Sequence, residues 1–372
     1  MTVPPGHATG VLTIDLAALA ANWRELARRA APALCGAVIK ADGYGLGIAR
    51  VAPALYDAGC RNFFVAHLGE GARARAALPQ ADAKFYALNG LQFGADPLAD
   101  YAALRLAPVI GSGEELARWS AFNAARPTPA PCAVLIDTGM NRLGFASLEA
   151  LTQAMARHGA SSGADLLMSH FVASEEPGNP LNASQIARFD AARAALPMLS
   201  ASLANSSGAF LPGVAYELIR PGYALYGGNP TPGRPNPMQT VATLEIVIQQ
   251  TRWIAPGESA GYNSQWRARR RTRLATLLAG YADGLPRGAG AVDGREGAQV
   301  LIAERRCELV GRISMDLSIA DVTDVAEDAA RPGDFAQIVG PDIALDDFAA
   351  QSGTIGYHVL TSLGARYFRR VV

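Results

Sequence analysis

Eight short apolar runs alternate with helix-length segments between residues 37 and 219 of the 372-residue chain. Runs this short, without polar alternation, suit strands that are buried on both faces of a parallel sheet. Eight alternations indicate a closed (β/α)8 barrel rather than an open doubly wound sheet, because no dinucleotide-binding fingerprint follows an early strand. The predicted strands are 37–39, 63–66, 85–88, 106–110, 133–136, 166–168, 202–204 and 217–219.

A segment rich in proline and glycine, residues 227–237, follows the last of these runs and predicts a linker. Beyond it, helical patterns nearly vanish and short strands are predicted instead. We therefore expect an α/β fold class: a (β/α)8 barrel domain over 10–232, then a smaller, mainly β domain over 239–372, with residues 1–12 able to pack on the second domain. The predicted strands of that domain are 243–249, 275–279, 300–302, 308–310 and 335–339.

Charge and composition exclude several classes of protein. The 33 Lys and Arg residues balance 33 Asp and Glu residues, which argues against nucleic acid or an anionic membrane as a partner. The basic segment 267–273 lacks interleaved aromatic residues and predicts a solvated or interface segment. No signal peptide and no run of about 18 apolar residues is evident, so we expect a cytoplasmic protein with no membrane span.

The four cysteines have neither metal-ligand spacing nor the pattern of a disulfide framework. We expect each to be a buried, reduced thiol, and we expect no metal site. They are Cys35, Cys60, Cys132 and Cys307.

Polar side chains follow the predicted strands at the point where each strand ends. Lys40 follows the first strand, His170 the sixth and Arg220 the eighth. Because the carboxyl ends of barrel strands meet at one rim, this convergence predicts an active site there. A lysine in apolar surroundings loses its proton more easily and can act as a nucleophile or a base.

The segment Lys40-Ala-Asp-Gly-Tyr44-Gly resembles the signature of the alanine racemases. Further segments match that family in order and at compatible spacings, so the resemblance covers almost the whole chain. It implies an isomerase that depends on pyridoxal 5'-phosphate, with Lys40 carrying the cofactor as a Schiff base. The matching segments are 205–206, 220–227, 257–263, 280–287, 311–316 and 355–357.

The resemblance also implies two catalytic bases on opposite faces of the substrate. Lys40 would take the proton from D-alanine, and Tyr262 would take it from L-alanine. Two bases of different chemistry suit the inversion of a Cα centre, whereas an isolated tyrosine gives up its proton poorly. By resemblance, His170 and Arg220 support Tyr262 through hydrogen bonds, and Arg220 also faces the pyridine nitrogen.

Cofactor and substrate contacts follow from the same resemblance. Arg142 and the backbone N–H of Met315 would bind the substrate carboxylate, and Tyr281, Arg287, Arg312 and Ile355 would line the substrate entrance. Tyr262 and Met315 would reach the barrel of a partner subunit, in a head-to-tail homodimer with shared sites. The implied cofactor-binding residues are Lys40, Tyr44, Arg142, His170, Asn205, Ser206, Arg220, Gly222, Tyr223 and Tyr357.

Three positions depart from the family pattern. Leu135 stands where many relatives have a carbamylated lysine that orients the arginine, so Arg142 would be oriented by Asn141 or by a bound anion. Leu46 stands where many have histidine, and the residues around Tyr262 differ. These departures concern how two site residues are held, rather than which residues are present.

Other functions remain open at this point. A broader amino-acid racemase usually has an export signal, which is absent, and a basic amino-acid decarboxylase usually has glutamate in place of Arg220. A non-catalytic pyridoxal phosphate carrier would tend to be a barrel alone. Whether D-alanine is made for peptidoglycan or L-alanine is recovered in catabolism is also open.

Overall fold

The computed structural model describes residues 5–80, 82–92 and 97–372. The chain forms two compact units. One comprises residues 19–225 and 229–238, and the other comprises the described residues up to 18 together with 226–228 and 239–372.

Eight parallel strands form a closed barrel in the first unit. The first seven pair in chain order as one parallel sheet. The ring closes because Leu218–Ile219 pairs with Leu34–Cys35, while Arg220 N donates to Ala204 O (2.9 Å) on the other side. This confirms the predicted (β/α)8 barrel. The strands are Leu34–Cys35 continued by Ala37–Val38, Asn62–Val65, Lys84–Ala87, Leu106–Ile110, Cys132–Leu135, Ala164–Met168, Ser200–Ser202 and Leu218–Ile219.

Helices surround this barrel, and local sequence explains where several begin. Ser112 Oγ accepts from Glu115 N (3.2 Å), and Asn179 caps a helix with proline at its first position. The helices are Leu16–Ala30, Ile48–Asp57, Leu68–Ala77, Leu98–Ala103, Gly113–Ala124, Leu148–Ser162 and Pro180–Ala195, with a left-handed turn at Lys40–Tyr44 and 3₁₀ turns at Gly208–Phe210 and Tyr223–Tyr226.

Aromatic side chains stack inside the barrel unit. Phe63 and Phe85 lie with ring centroids 5.1 Å apart, and Phe64 and Tyr86 with centroids 5.0 Å apart. Stacked pairs of this kind add to the stabilisation from apolar burial. They join neighbouring strands below the rim that carries the polar side chains.

Antiparallel strands dominate the second unit. The long strand Ala242–Ile254 pairs with Gly10–Ile14, Thr272–Leu277 and Phe335–Val339. Gly10–Ile14, which the apolar pattern did not predict, also pairs in parallel with Phe368–Val371. The remaining strands are Gln299–Ile302, Arg305–Glu308, Ser318–Asp321 and the pair Ser259–Ala260 and Trp266–Arg267; the helices are Leu345–Gln351 and Gly356–Thr361.

Several local predictions are wrong. The seventh barrel strand lies at Ser200–Ser202 rather than 202–204. The predicted strand 308–310 is only partly right: the strand is Arg305–Glu308, and Leu309 and Val310 continue it as isolated bridges. Arg273 is buried and donates to four backbone carbonyls, so the basic segment is not solvated throughout.

Other predictions concern cysteines, membranes and metals. All four cysteines are buried and free, as predicted. Among the described helices, none has the length and hydropathy that crossing a membrane requires. Within the described ranges, no three His, Cys, Asp or Glu side chains are grouped so as to hold a metal ion.

Candidate active site

Lys40 starts a left-handed turn rather than ending a strand. Ala41, Asp42 and Tyr44 have φ of 52°, 54° and 52°, in a backbone region that non-glycine residues rarely adopt. Each such residue costs about 1–2 kcal/mol, and strain of this kind is concentrated at functional sites. Gly43 N donates to Ile39 O (2.9 Å), which closes the turn onto the end of the first strand.

Glu70 holds this turn, and the sequence analysis missed it. Its carboxylate accepts from Ala41 N (2.7 Å) and from Ala66 N (2.8 Å), so it ties the Lys40 turn to the end of the second strand. The detectable signal was an acidic residue in the first turn of the helix Leu68–Ala77.

The Lys40 amine is shifted toward its neutral form. Burial lowers its pKa most, the positive charge of Arg142 lowers it further, and Glu70 opposes both effects. A neutral amine is the form that attacks a carbonyl carbon. The position of Lys40 therefore favours covalent attachment of an aldehyde.

His170 is half-buried and Arg220 is buried, and both follow strands at the barrel rim. Burial first, and then the charges of Arg220, Arg142 and Lys40, lower the pKa of His170 to about 3, so its imidazole is neutral. Arg220 donates to Ser202 Oγ and to Ser169 O (2.6 Å), and burial lowers its pKa to about 9. In the described part of the chain, no acidic side chain forms an ion pair with Arg220.

Hydrogen-bond donors gather after the seventh and eighth strands. Ser206 Oγ accepts from Gly222 N (3.0 Å) and Ala224 N (3.2 Å). Gly222 is required here, because an added Cβ would lie 2.3 Å from the Tyr44 hydroxyl oxygen. Because Ser206 Oγ accepts twice, its own proton stays available, and a hydroxyl donor of this kind suits a phosphate oxygen. The neighbouring Tyr223 is buried.

Asn205 has a structural role in this region. Its side-chain oxygen accepts from Ser174 Oγ (2.8 Å) and from Gly208 N (2.8 Å). It therefore fixes the turn that presents Ser206 and starts the 3₁₀ turn Gly208–Phe210.

Arg142 lies in the loop after the fifth strand and its side chain is exposed. Asp137 shapes the loop by accepting from Gly139 N (2.7 Å) and Met140 N (2.8 Å). Among the described residues, none hydrogen-bonds or ion-pairs with the Arg142 side chain, so the expected support from Asn141 is not observed. Leu46, at the second departure from the family pattern, is fully buried.

The remaining predicted site residues lie in the second unit, where backbone contacts bring four of them together. An added Cβ on Gly261, next to Tyr262, would lie 3.0 Å from Arg312 N. Tyr281 N donates to Ser314 O (3.0 Å), and Ala282 N donates to Met315 O (2.9 Å).

The side chains in this unit point outward. Tyr262 is 66% exposed and Met315 is 53% exposed. Ile355 and Arg287 are also exposed, and Tyr357 is half-buried in the helix Gly356–Thr361.

A cluster of charges that the sequence analysis missed holds the Tyr281 and Met315 segments. The buried carboxylate of Asp283 accepts from Arg366 Nε (2.5 Å) and Nη2 (2.7 Å), and Arg366 Nη1 donates to Asp316 (2.7 Å). One arginine therefore joins both segments, although it lies 50 residues from the nearer carboxylate in the chain.

The barrel and its rim define a class of protein: a (β/α)8-barrel protein with a half-buried lysine of lowered pKa just beyond its first strand. Comparison with known proteins then identifies the family. The model for the N-terminal domain of alanine racemase matches residues 14–230, and that for its C-terminal domain matches residues 241–371. The chain belongs to the alanine racemase family.

Individual relatives agree with this assignment. The chain is 53% identical to the alanine racemase of Methylobacterium sp. (strain 4-46), covering 97% of both chains. It is 42% identical to the catabolic alanine racemase of Rhizobium johnstonii, covering 98% of this chain and 95% of the relative.

Solved structures are similar in fold. The alanine racemase of Bartonella henselae with covalently bound pyridoxal phosphate has a TM-score of 0.91 at 35% identity, covering 98% of this chain and all of that one. The biosynthetic alanine racemase of Pseudomonas aeruginosa has a TM-score of 0.88 at 35% identity, covering 98% and 99%.

Proposed function

We propose that this protein interconverts L-alanine and D-alanine with pyridoxal 5'-phosphate attached at Lys40. One observation carries the proposal: a lysine with a lowered pKa lies on the same barrel rim as the Ser206 hydroxyl, which accepts two backbone hydrogen bonds and keeps its own proton to donate. An aldehyde with a phosphate group needs both features. Family membership supports the same reaction.

The residues present fit this cofactor. Ser206, Tyr44 and the backbone around Gly222 and Tyr223 would hold the phosphate, with Asn205 fixing the turn and Tyr357 completing the set. When bound, the cofactor withdraws electrons from the substrate Cα and so weakens its C–H bond.

Two groups of this chain would move the α-proton. Lys40 would take it from D-alanine, and Tyr262 of a partner subunit would take it from L-alanine. The neutral imidazole of His170 carries one N–H, which would donate to the Tyr262 phenolate while Arg220 stays protonated nearby. A hydrogen bond donated to the charged form stabilises the phenolate, which is the form that acts as a base.

Substrate binding would use charge and shape. The Arg142 guanidinium suits a planar carboxylate, and the Met315 N–H would be the second contact. Tyr281, Arg287, Arg312 and Ile355 would narrow the entrance, which favours a small side chain such as methyl.

A head-to-tail homodimer would complete each site, because Tyr262 and Met315 are exposed on their own chain. We place the reaction in the cytoplasm. There it would either supply D-alanine for peptidoglycan or recover L-alanine in catabolism. Relatives named for the catabolic role and structures named for the biosynthetic role both resemble this chain.

The direct experiment follows racemisation by the purified, cofactor-loaded protein with a panel of L-amino acids. We expect D-alanine to form fastest and the L-to-D ratio to approach one. A protein that binds pyridoxal phosphate but racemises no amino acid would overturn the proposal, and preference for a long side chain would replace it with a broader racemase.

Cofactor binding has its own test in Gly222→Ala, with Gly178→Ala as the matched control. The new Cβ at Gly222 would meet the Tyr44 hydroxyl at 2.3 Å, whereas nothing lies within 4 Å at Gly178. We expect the dissociation constant for pyridoxal phosphate to rise about 10-fold or more in the first variant, as a 1 Å displacement of a binding group implies. Equal affinity in both variants would remove Gly222 from the phosphate site.

A further inference from the structure

Gln185 is a buried amide, 2% exposed, on the inner side of the helix Pro180–Ala195. Its Nε2 donates to Thr138 Oγ1 (3.0 Å) and to His170 O (2.9 Å). Its Oε1 accepts from Val172 N (2.8 Å). One side chain therefore bonds to two separate strand-end segments of the barrel.

Each of those segments carries a residue of the proposed site. Thr138 starts the loop that leads to Arg142, and His170 is the imidazole beside Arg220. Gln185 contacts neither the Arg142 side chain nor the His170 ring. It contacts the backbone and hydroxyl groups that set where the two side chains begin.

The donor and the acceptor of each hydrogen bond behind the rim can be assigned. Ser169 Oγ donates its single proton to Ile136 O (2.8 Å), so it accepts from Thr138 Oγ1 (2.8 Å). The Thr138 hydroxyl has then used its own proton, and it accepts from Gln185 Nε2. The chain of donors thus starts at Gln185 and ends at a barrel strand, and Ser169 O accepts from Arg220.

We propose that Gln185 is a positioning residue, which fixes the spacing between the His170 segment and the Arg142 loop. This inference rests on the proposed racemase function. Buried networks of this kind specify one arrangement when every member is bonded, and removing a member leaves polar groups unpaired. Without Gln185, Val172 N–H, His170 O and the Thr138 hydroxyl each lose a partner, and beyond the strand ends the two segments stay joined through the Ser169 hydroxyl.

Asn182 supplies a matched control on the same helix. It is 4% exposed, and its Nδ2 donates to Ala173 O (3.2 Å) and Glu176 O (2.9 Å). It bonds to the loop beyond Val172 but to neither strand-end segment. An amide that merely anchors the helix would behave like Asn182.

The experiment compares Gln185→Met with Asn182→Leu in the cofactor-loaded enzyme. Unfolding midpoints measure the structural cost of each change, and hydrogen exchange measures protection of the segment 169–172, which Asn182 does not bond to. We expect both variants to lose stability, but kcat to fall about 10- to 100-fold more in Gln185→Met, with a smaller change in KM. Gln185→Glu keeps the acceptor for Val172 N and should recover part of kcat.

Isotope effects separate positioning from loss of stability. Because His170 supports the base that acts on L-alanine, Gln185→Met should raise the isotope effect with α-deuterated L-alanine and not with α-deuterated D-alanine. If both variants lost the same amount of kcat, or if both isomers gave equal isotope effects, Gln185 would only hold its helix in place. If wild-type protein fails to racemise alanine, the proposed function fails instead, and the two failures are thereby distinguished.

Discussion

The barrel rim and the loops of the second unit present their site residues in opposite ways. At the rim, Arg220 and Ser206 are buried and hydrogen-bonded within one chain. In the second unit, the loops are fixed from behind by Arg366, yet Tyr262 and Met315 are more than half exposed. One half of the proposed site is thus assembled within the chain, and the other half faces outward.

This difference teaches how the proposed site would be divided. Contiguous patches of exposed apolar side chains are typical of surfaces that a partner covers. The turn next to Tyr262 and the hydrogen bonds around Met315 show that these loops have internal structure. Their side chains are therefore exposed on ordered loops. We therefore interpret them as preformed contact loops for a second copy of the chain.

We expect the largest effect when Tyr262, the base on the outward-facing loops, is removed and Lys40 at the barrel rim is kept. Tyr262→Phe should lower racemisation about 10²- to 10⁴-fold. Lys40 would still exchange the α-proton of D-alanine with D₂O, whereas L-alanine would not exchange. Proton NMR of each isomer measures this, and loss of exchange for both isomers would argue against two separate bases.

The second prediction removes Arg366, the arginine that holds the loops of the second unit together. Arg366→Met leaves Asp283 buried without its partner, and we expect a loss of about 3 kcal/mol in the free energy of unfolding. Arg270→Met breaks a similar pair with Asp324 on the surface of the same unit and should have little effect. Urea unfolding of both variants tests this. Equal losses would mean that burial of Asp283 is not what matters.

The third prediction tests the buried half through pH. His170 has a pKa of about 3 in the folded chain against 6.5 for an ordinary histidine, so the unfolded chain binds more protons between those values. Stability therefore falls as the pH drops from 6.5 toward 3, by roughly 2–3 kcal/mol at about pH 4.5. Urea midpoints should show this loss in wild-type protein and less of it in His170→Gln. Parallel pH profiles would contradict a neutral His170 with a lowered pKa.

Much of the fold was predictable because its signals are local. The barrel strands are short apolar runs, and each predicted one lies within two residues of an observed strand. Gly10–Ile14 was missed because its strand character depends on partners more than 200 residues away in the chain. Chain neighbours alone do not identify such pairing.

The candidate site divides in the same manner. Lys40 and His170 could be found because polar residues at strand ends stand out from apolar runs. Glu70, Gln185 and Arg366 could not, because their significance lies in hydrogen bonds to distant backbone and carboxylate groups. The left-handed turn after Lys40 was likewise hidden, since its non-glycine residues favour other backbone conformations.

The division of the site between two chains has one direct test, which uses differently tagged subunits purified as mixed dimers. A dimer of one Lys40→Ala subunit and one Tyr262→Phe subunit should keep one intact site and about half the wild-type activity. A wild-type subunit paired with the Lys40→Ala/Tyr262→Phe double variant should be inactive, because neither site has both bases. The reverse pattern, an inactive first dimer and a half-active second, would show that each chain builds its own site and would contradict the account.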